Sequence, residues 1–206
     1  MPDVLVPVAR LPRWLDNFAA SHGESALSTV DGALRGDAAD GSWFAARLPF
    51  GRGYAGPPDL GGFLSGVLPP DAWGVLLVRK GGFAVARLRG DRTLESKVGQ
   101  RHVQGRTKAG GQSQQRFARR RDNQARQAYE AAAEHAVRIL GLGDGRRLTA
   151  LVTGGDHPAV EAVLADPRLA GHPVVPPWLA VPDPRRAVLE GAVADACSVR
   201  MTVTNL

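Results

Sequence analysis

The stretch WGVLLVRKGGFAVARLRG, residues 73–90, contains two short apolar runs separated by a pair of glycines. WGVLLVR and FAVARLR each have the length and composition of a buried β-strand. Between them, Lys80-Gly81-Gly82 favours a tight turn, because glycine accepts the positive φ angles that such turns need. The stretch therefore predicts a β-hairpin, and RTLESKV, which follows a Gly-Asp turn, predicts a third strand.

A long amphipathic helix is predicted over residues 113–140. Ser113 is a suitable N-cap, and no residue between it and Leu140 breaks a helix. At 100° per residue the apolar side chains fall on one side of the helix and the arginines on the other. The apolar side comprises Phe117, Ala125, Ala128, Ala132, Ala136 and Ile139, and the arginine side comprises Arg116, Arg119, Arg120 and Arg126.

The segments after this helix alternate between strand and helix patterns. RRLTALVTGG is typical of a buried strand, HPAVEAVLAD and PDPRRAVLEGAVADA of helices, and CSVRMTVTNL of a final strand. A hairpin followed by such units predicts an α/β fold in which a mixed β-sheet is flanked by helices.

The N-terminal third of the chain predicts additional elements ahead of this fold. RWLDNFAASHG is typical of a short helix, and ALSTVDGALR and SWFAARLPF of strands. Residues 49–70 are rich in glycine and proline and form the best candidate for a domain boundary. We therefore expect residues 1–70 to be an N-terminal extension that packs on a core domain of residues 71–206, since 70 residues bury only a small core alone.

Composition excludes several classes of protein. A single cysteine, Cys197, excludes an internal disulfide, and one thiol with five scattered histidines predicts neither a zinc site nor any other metal site. The sequence has no run of 18 apolar residues and no basic leader. We expect a cytoplasmic protein that needs no cofactor and contacts no membrane.

Basic charge is concentrated in one window of the chain. Residues 97–126 contain nine lysines and arginines against one acid, so the window carries +8, whereas the whole chain carries +6. Such a footprint is typical of a surface that binds a phosphate backbone, because each neutralised phosphate releases counterions. A solvated arginine-rich face is the structural alternative.

The sequence AGGQSQQRFARRR, residues 109–121, lies inside this window. Gly110 and Gly111 remove side chains where a backbone must approach another molecule closely. The amide of Gln112 does not titrate near neutral pH, so it can orient a group and donate hydrogen bonds but cannot act as a general base. The two glycines and the glutamine together indicate a loop whose backbone inserts into a crowded site on another molecule. The basic residues around the loop indicate that this molecule is RNA.

These residues strongly resemble the catalytic loop of the eukaryotic and archaeal class-one peptide-release factors, which combine Gly-Gly-Gln, a serine and an Arg-Phe-Ala-Arg helix start. The resemblance covers roughly residues 71–170 and implies the RNase H-like catalytic middle domain of those factors. The chain has room for neither their codon-reading domain nor their partner-binding domain. In this respect it is similar to the actinobacterial VLRF-type family of predicted peptidyl-tRNA hydrolases, which act in ribosome rescue.

The resemblance implies hydrolysis of the ester between a nascent peptide and its tRNA. Gly110, Gly111 and Gln112 are then the catalytic residues, and they act in the peptidyl-transferase centre of the large ribosomal subunit. The implied partners are the large subunit, its rRNA and peptidyl-tRNA, with neither DNA nor membrane, and the protein is expected to be a monomer. The residues expected to contact RNA phosphates are Arg106, Lys108, Arg116, Arg119 and Arg120.

Two other functions remain open from the sequence. The protein is alternatively a nuclease that cuts the acceptor end of the tRNA, or a non-catalytic module that binds the ribosome or tRNA. Metal-dependent cutting is disfavoured, because the basic window contains only one carboxylate, Asp122, and a two-metal site needs several.

Overall fold

The computed structural model of the protein describes residues 3–100, 113–141 and 145–206, and describes the backbone alone for residues 113–125. The helices are α1 (Leu11–His22), α2 (Leu60–Ser65), α3 (Ser113–Leu140), α4 (His157–Leu164) and α5 (Arg186–Ala196). The strands are β1 (Val4–Val6), β2 (Ser25–Val30), β3 (Ala33–Ala38), β4 (Trp43–Arg47), β5 (Trp73–Arg79), β6 (Gly82–Arg89), β7 (Arg92–Gln100), β8 (Ala150–Gly155), β9 (Val174–Leu179) and β10 (Val199–Thr204). Short 3-10 helices cover Val8–Arg10, Pro49–Gly51 and Pro167–Leu169.

The strands form two five-stranded sheets, and the chain divides into two compact units that follow these sheets except at part of β9. The first unit comprises Met1–Pro69, Val175–Pro177 and Val193–Leu206. Its sheet has the strand order β1-β10-β4-β3-β2, and every pair in it is antiparallel.

Aromatic side chains on α1 and β4 form the centre of the first unit. Trp14 and Phe18 both contact the ring of Phe44 edge to face, with centroids 5.5 and 5.2 Å apart. The Phe44 ring in turn lies over Gly36 of β3, where a Cβ atom would come within 2.3 Å of it. The absence of a side chain at Gly36 thus allows the aromatic cluster to sit directly on the sheet.

The second unit comprises Pro70–Val174 and Trp178–Ala192, and its sheet has the order β7-β6-β5-β8-β9. β5 and β6 form an antiparallel hairpin in which Arg79 lies opposite Gly82, so that Lys80 and Gly81 make the turn. β5 also pairs with β8, and this pairing is parallel. The sheet is therefore mixed.

Two helices cover one face of the second sheet. Leu76 and Val78 of β5 and Val85 of β6 belong to one buried cluster with residues of α3 and α4. α3 contributes to it at helical spacing, with Ala132, Ala136, Ile139 and Leu140. Small alanines at this seam let the helix backbone approach the sheet closely.

The predicted mixed α/β fold is confirmed, and so are the β5–β6 hairpin and the long helix α3. The final strand, β10, is also present, but its position differs from the expectation that residues 71–206 form one domain. It pairs with β1 and β4 in the sheet of the first unit, with Met201 opposite Val4 and Ala46. A pairing between residues nearly 200 positions apart leaves no local signal in the sequence.

Two further elements were not predicted. β9 includes Pro176 and Pro177, which argue against a central strand, and it lies at the edge of its sheet, where proline is tolerated. α2 lies inside the glycine- and proline-rich segment, and the Asp59 side chain caps it by accepting a hydrogen bond of 2.7 Å from the Gly62 N–H. None of the helices in the described ranges has the length and apolar character needed to cross a bilayer.

Candidate functional site

The predicted catalytic residues Gly110, Gly111 and Gln112 lie outside the described residues. They belong to the segment that joins the end of β7 at Gln100 to the start of α3 at Ser113. The structure therefore describes the strand and the helix on either side of this segment. The position of the site is given by β7 and α3.

The predicted RNA-binding residues fall into two groups. Arg106 and Lys108 lie outside the described residues, like the catalytic triplet. Arg116, Arg119 and Arg120 lie on the described backbone of α3, in its first turns, and their side chains are outside the description. All five therefore stay predictions.

α3 runs antiparallel to β7 and extends past its end. Arg138 near the C-terminus of α3 bonds to Glu95 of β7, whereas Ala128 lines the same cavity as Gln100 at the end of β7. At about 1.5 Å per residue, Ser113 lies roughly 22 Å along the helix axis from Ala128. The first half of α3, which we call the stalk, thus leads from the Gly-Gly-Gln segment to the part of the helix that packs on the sheet.

A buried arginine fixes the opposite end of α3. The Arg87 side chain on β6 donates hydrogen bonds to the carbonyl oxygens of Leu140 and Gly141, at 3.0 and 2.8 Å, and to that of Arg146, at 2.5 Å. Only 3% of Arg87 is exposed. The last carbonyls of a helix lack hydrogen-bond partners within the helix and carry the negative end of its dipole. A cation that caps them therefore supplies the missing hydrogen bonds and neutralises the dipole end.

Ion pairs on the exposed side of α3 add two further attachments. Glu134 accepts a hydrogen bond of 2.5 Å from Arg168, which also bonds to Asp166 at 2.7 Å. Hydrogen bonds from the Arg168 side chain and backbone lower the pKa of Asp166 to about 2, and the Arg168 side chain also lowers the pKa of Glu134. These groups stay charged across the physiological range and join α3 to the turn after α4.

An aromatic contact holds α3 against the sheet where β7 ends. The His135 ring on α3 stacks on Phe83 of β6, with centroids 5.3 Å apart and an interplanar angle of 25°. Phe83 in turn covers Gly99 of β7, where a Cβ atom would come within 2.2 Å of the ring. Beside this contact lies a cavity of about 320 Å³, whose lining includes Gln100, Gln127 and Tyr129. These contacts attach the second half of α3 to the sheet.

In the described ranges no group of three or more His, Cys, Asp or Glu side chains is arranged to hold a metal ion. The described residues around the site attach α3 to the sheet and form hydrogen bonds, and they do not form a cluster of titrating groups.

Arg87 was not predicted from the sequence as a residue of the site. The residue interrupts the apolar run FAVARLR, and the alternation of side chains along β6 places it on the same face as Phe83 and Val85, towards α3. A lone arginine on the buried face of a predicted strand is a signal that it has a specific partner, because an unpaired buried charge is costly. Only the tertiary structure identifies that partner as a helix end.

Comparison with known proteins identifies a family for residues 71–202. A family model described as "Actinobacteria/chloroflexi VLRF1 release factor" matches residues 71–202. The curated relatives include peptide chain release factor subunit 1 of Pyrococcus abyssi and of Thermococcus onnurineus, each 34% identical over 92 residues. Each match covers 44% of this chain and 22% of the relative, so the chain spans about a fifth of the length of the curated relatives it matches.

Two solved structures are similar at low sequence identity. The archaeal translation termination factor aRF1 has a TM-score of 0.40 and 16% identity, over 93% of this chain and 61% of that one. A structure described only as an archaeal protein has a TM-score of 0.38 and 18% identity, over 78% of this chain and 51% of that one. The family match covers well over half of the sequence, and the chain therefore belongs to the actinobacterial and chloroflexi VLRF1 release-factor family.

Proposed function

We propose that this protein releases nascent peptides from stalled ribosomes by hydrolysing the ester bond between peptide and tRNA. The observation that carries the proposal is the sequence GGQSQQRFAR, in which Gly-Gly-Gln directly precedes the first turn of α3 in a chain of the VLRF1 release-factor family. In this proposal the second compact unit is the catalytic unit, and residues 1–70 are accessory to it.

The proposed chemistry needs no titrating side chain. Gln112 orients the attacking water or donates a hydrogen bond to the charge that develops on the ester, while the backbone N–H groups near Gly110 and Gly111 supply further donors. One such donor in a water-excluded site is worth on the order of a hundredfold in rate. The remaining acceleration comes from the ribosomal site, which holds the ester and the loop in a fixed geometry.

The shape of the described unit suits this role. A segment that must enter a deep RNA site needs a narrow carrier, and a single helix is about 10–12 Å wide with its side chains. α3 supplies such a carrier over its first half, and its second half is attached to the sheet by Arg87, His135 and Glu134. The rigid attachment limits the number of directions in which the loop can point.

RNA contacts along the stalk then set the depth of insertion. Arg106 and Lys108 precede the triplet, and Arg116, Arg119 and Arg120 follow it, so phosphates on either side of the loop each meet a cation. Such contacts position a protein without reading sequence. The partners in this proposal are the large ribosomal subunit, its rRNA and peptidyl-tRNA, met in the cytoplasm by a monomer.

A release assay tests the proposal. The purified chain is added to stalled ribosome complexes that carry a labelled peptidyl-tRNA, and both the peptide and the tRNA are sized. We expect free peptide with full-length tRNA from the wild type, and loss of release by a hundredfold or more from Gln112→Ala. Gln114→Ala removes the same amide two residues later and should keep most of the activity.

Other outcomes replace the proposal with a different function. A shortened tRNA in the products identifies a nuclease that cuts the acceptor end. Binding to the complex without peptide release, unchanged by Gln112→Ala, identifies a non-catalytic binding module.

A further inference from the structure

The first unit contains a groove between strand β1 and helix α1. It has a volume of about 530 Å³, within the range of small-ligand sites, and it is lined by Leu5, Val6, Pro7, Arg10, Arg13, Trp14 and Asn17. β1 and the turn after it form the apolar wall, and α1 with the residue before it forms the polar wall. Among the residues that the structure describes, no aspartate or glutamate lines the groove.

The polar wall is built from one face of a helix. Arg10, Arg13, Trp14 and Asn17 are spaced by three, four and seven residues, so their side chains lie side by side. Arg10, Arg13 and Asn17 are exposed, and Trp14 is half-buried because it packs on Phe18 and Phe44. The cluster is thus held in place at Trp14 and open to solvent on either side.

The hydrogen-bonding capacity of these side chains is unused within the described part of the chain. Neither guanidinium, of Arg10 or of Arg13, forms an ion pair or a side-chain hydrogen bond with residues 3–100, 113–141 or 145–206. This differs from Arg35 in the same unit, which is bound to Asp37 at 2.6 Å and lies 4.3 Å above the Trp43 ring. The groove therefore presents two free cations beside an aromatic ring and an amide.

We propose that this groove binds a segment of single-stranded RNA. Arg10 and Arg13 contact two phosphates, Trp14 offers an aromatic surface to a base, and the Asn17 amide hydrogen-bonds a base edge. Cations that follow the backbone, combined with an aromatic platform, are the usual means by which proteins bind unpaired nucleic acid. This site is in a different unit from the Gly-Gly-Gln segment, and it does not depend on the ester chemistry proposed above.

Charge and strand length favour RNA over a peptide as the occupant. A peptide could add to β1, which is the edge of its sheet. β1, however, has only three residues, Val4–Val6, and offers few backbone hydrogen bonds for strand addition. Two cations with no acid in the lining are complementary to a polyanion, so the side chains rather than the strand edge dominate the chemistry of the groove.

Salt-dependent RNA binding tests the proposal. The full chain is titrated into a fluorescein-labelled single-stranded 12-mer of uridine at several salt concentrations. Each phosphate contact on a single strand contributes about 0.7 to the slope of log K against log salt, so Arg10→Ala/Arg13→Ala should lower the slope by roughly 1.4 and the affinity at 0.1 M salt by about 25-fold.

A matched control removes two exposed cations elsewhere. Arg92→Ala/Arg185→Ala deletes the same charge at positions outside both the groove and the basic window, and we expect its slope to change by less than half as much. Circular dichroism of both variants checks that the fold is retained.

Crosslinking locates the contact. The 12-mer carries 4-thiouridine, and after irradiation the crosslinked peptide is identified by mass spectrometry; the proposal expects crosslinks within residues 8–22. Crosslinks confined to residues 97–126, or equal effects of the two double variants, overturn it. Tighter binding of a glutamate-rich peptide than of the 12-mer, lost in Arg10→Ala/Arg13→Ala, also overturns it by making the partner an acidic protein. Because these measurements need no ribosome, failure of Gln112→Ala to affect release leaves them intact.

Discussion

The Arg87 guanidinium lies 3.0 Å from the carbonyl oxygen of Leu140, and this contact joins strand β6 to the last turn of the helix whose other end follows the Gly-Gly-Gln segment. The same side chain also binds the carbonyls of Gly141 and Arg146. One residue therefore satisfies carbonyl groups on both sides of the point at which α3 ends.

Replacing Arg87 by methionine keeps most of the apolar volume of the side chain and removes every donor. Three carbonyls then lose their partner, and we expect the free energy of unfolding to fall by roughly 2–4 kcal/mol. Arg87→Lys should lose less, because one ammonium group retains the charge and part of the capping. Urea denaturation at pH 7 measures both, and a change under about 0.5 kcal/mol for Arg87→Met would contradict the capping role.

Two glycines should respond in opposite directions to the same substitution. A Cβ atom at Gly154 of β8 would come within 2.3 Å of the Leu179 carbonyl oxygen, which belongs to the neighbouring strand and cannot rotate away. Gly191 in α5 has open space around its Cα, and its helical position favours alanine. Gly154→Ala should therefore destabilise by about 1–3 kcal/mol, and Gly191→Ala should stabilise by about 0.5–1 kcal/mol. Thermal and urea unfolding of the two variants give the sign of each change in the free energy of unfolding. Equal changes for the two variants would mean that β8 and β9 are not as closely packed as the structure indicates.

The hairpin and the long helix were predictable because their signals are local. Two apolar runs around Lys80-Gly81-Gly82 specify β5 and β6, and the spacing of Ala132, Ala136 and Ile139 specifies the buried side of the described second half of α3. The partner of β10 was not predictable, since its register with Val4 and Ala46 depends on residues far apart in the chain. β9 was missed because its prolines are acceptable only at a sheet edge, a position that no local pattern indicates.

The candidate site shows the same limit. Gly110, Gly111 and Gln112 were found because a motif carries them, and Arg87 was missed because its role depends on where α3 ends. The groove at α1 was missed for another reason: the excess charge is concentrated in residues 97–126, so the rest of the chain has almost no net charge. A net charge near zero gave no indication that Arg10 and Arg13 lie together in a groove whose described lining contains no acid.

The ion pairs between α3 and the turn after α4 predict that part of the stability of the fold is lost at acid pH. Hydrogen bonds from Arg168 lower the pKa of Asp166 from its usual 3.8 to about 2 in the folded protein. A carboxyl whose folded pKa is depressed stabilises the fold above its unfolded pKa, and this contribution is lost as the pH falls through the folded value. The difference in Tm between the wild type and Asp166→Asn should therefore be largest above pH 4 and should shrink between about pH 4 and pH 2. A carbon-13 NMR titration gives the pKa directly, and a value near 3.8 would contradict the pairing.

The arginines at the head of α3 should affect binding to the ribosome more than the release step. In the proposed function, Arg119 and Arg120 contact phosphates in both the ground state and the transition state, and the loss of such uniform binding raises KM without changing kcat. Arg119→Ala/Arg120→Ala should therefore raise the concentration needed for half-maximal release, by more at low salt than at high salt, while the rate at saturation stays within about threefold of the wild type. Gln112→Ala should do the reverse, lowering the saturating rate with little change in the half-maximal concentration. Single-turnover release at several protein and salt concentrations separates the two patterns. A fall in the saturating rate of Arg119→Ala/Arg120→Ala, comparable to that of Gln112→Ala, would mean that these arginines take part in aligning the loop for the reaction and do more than hold the stalk on RNA.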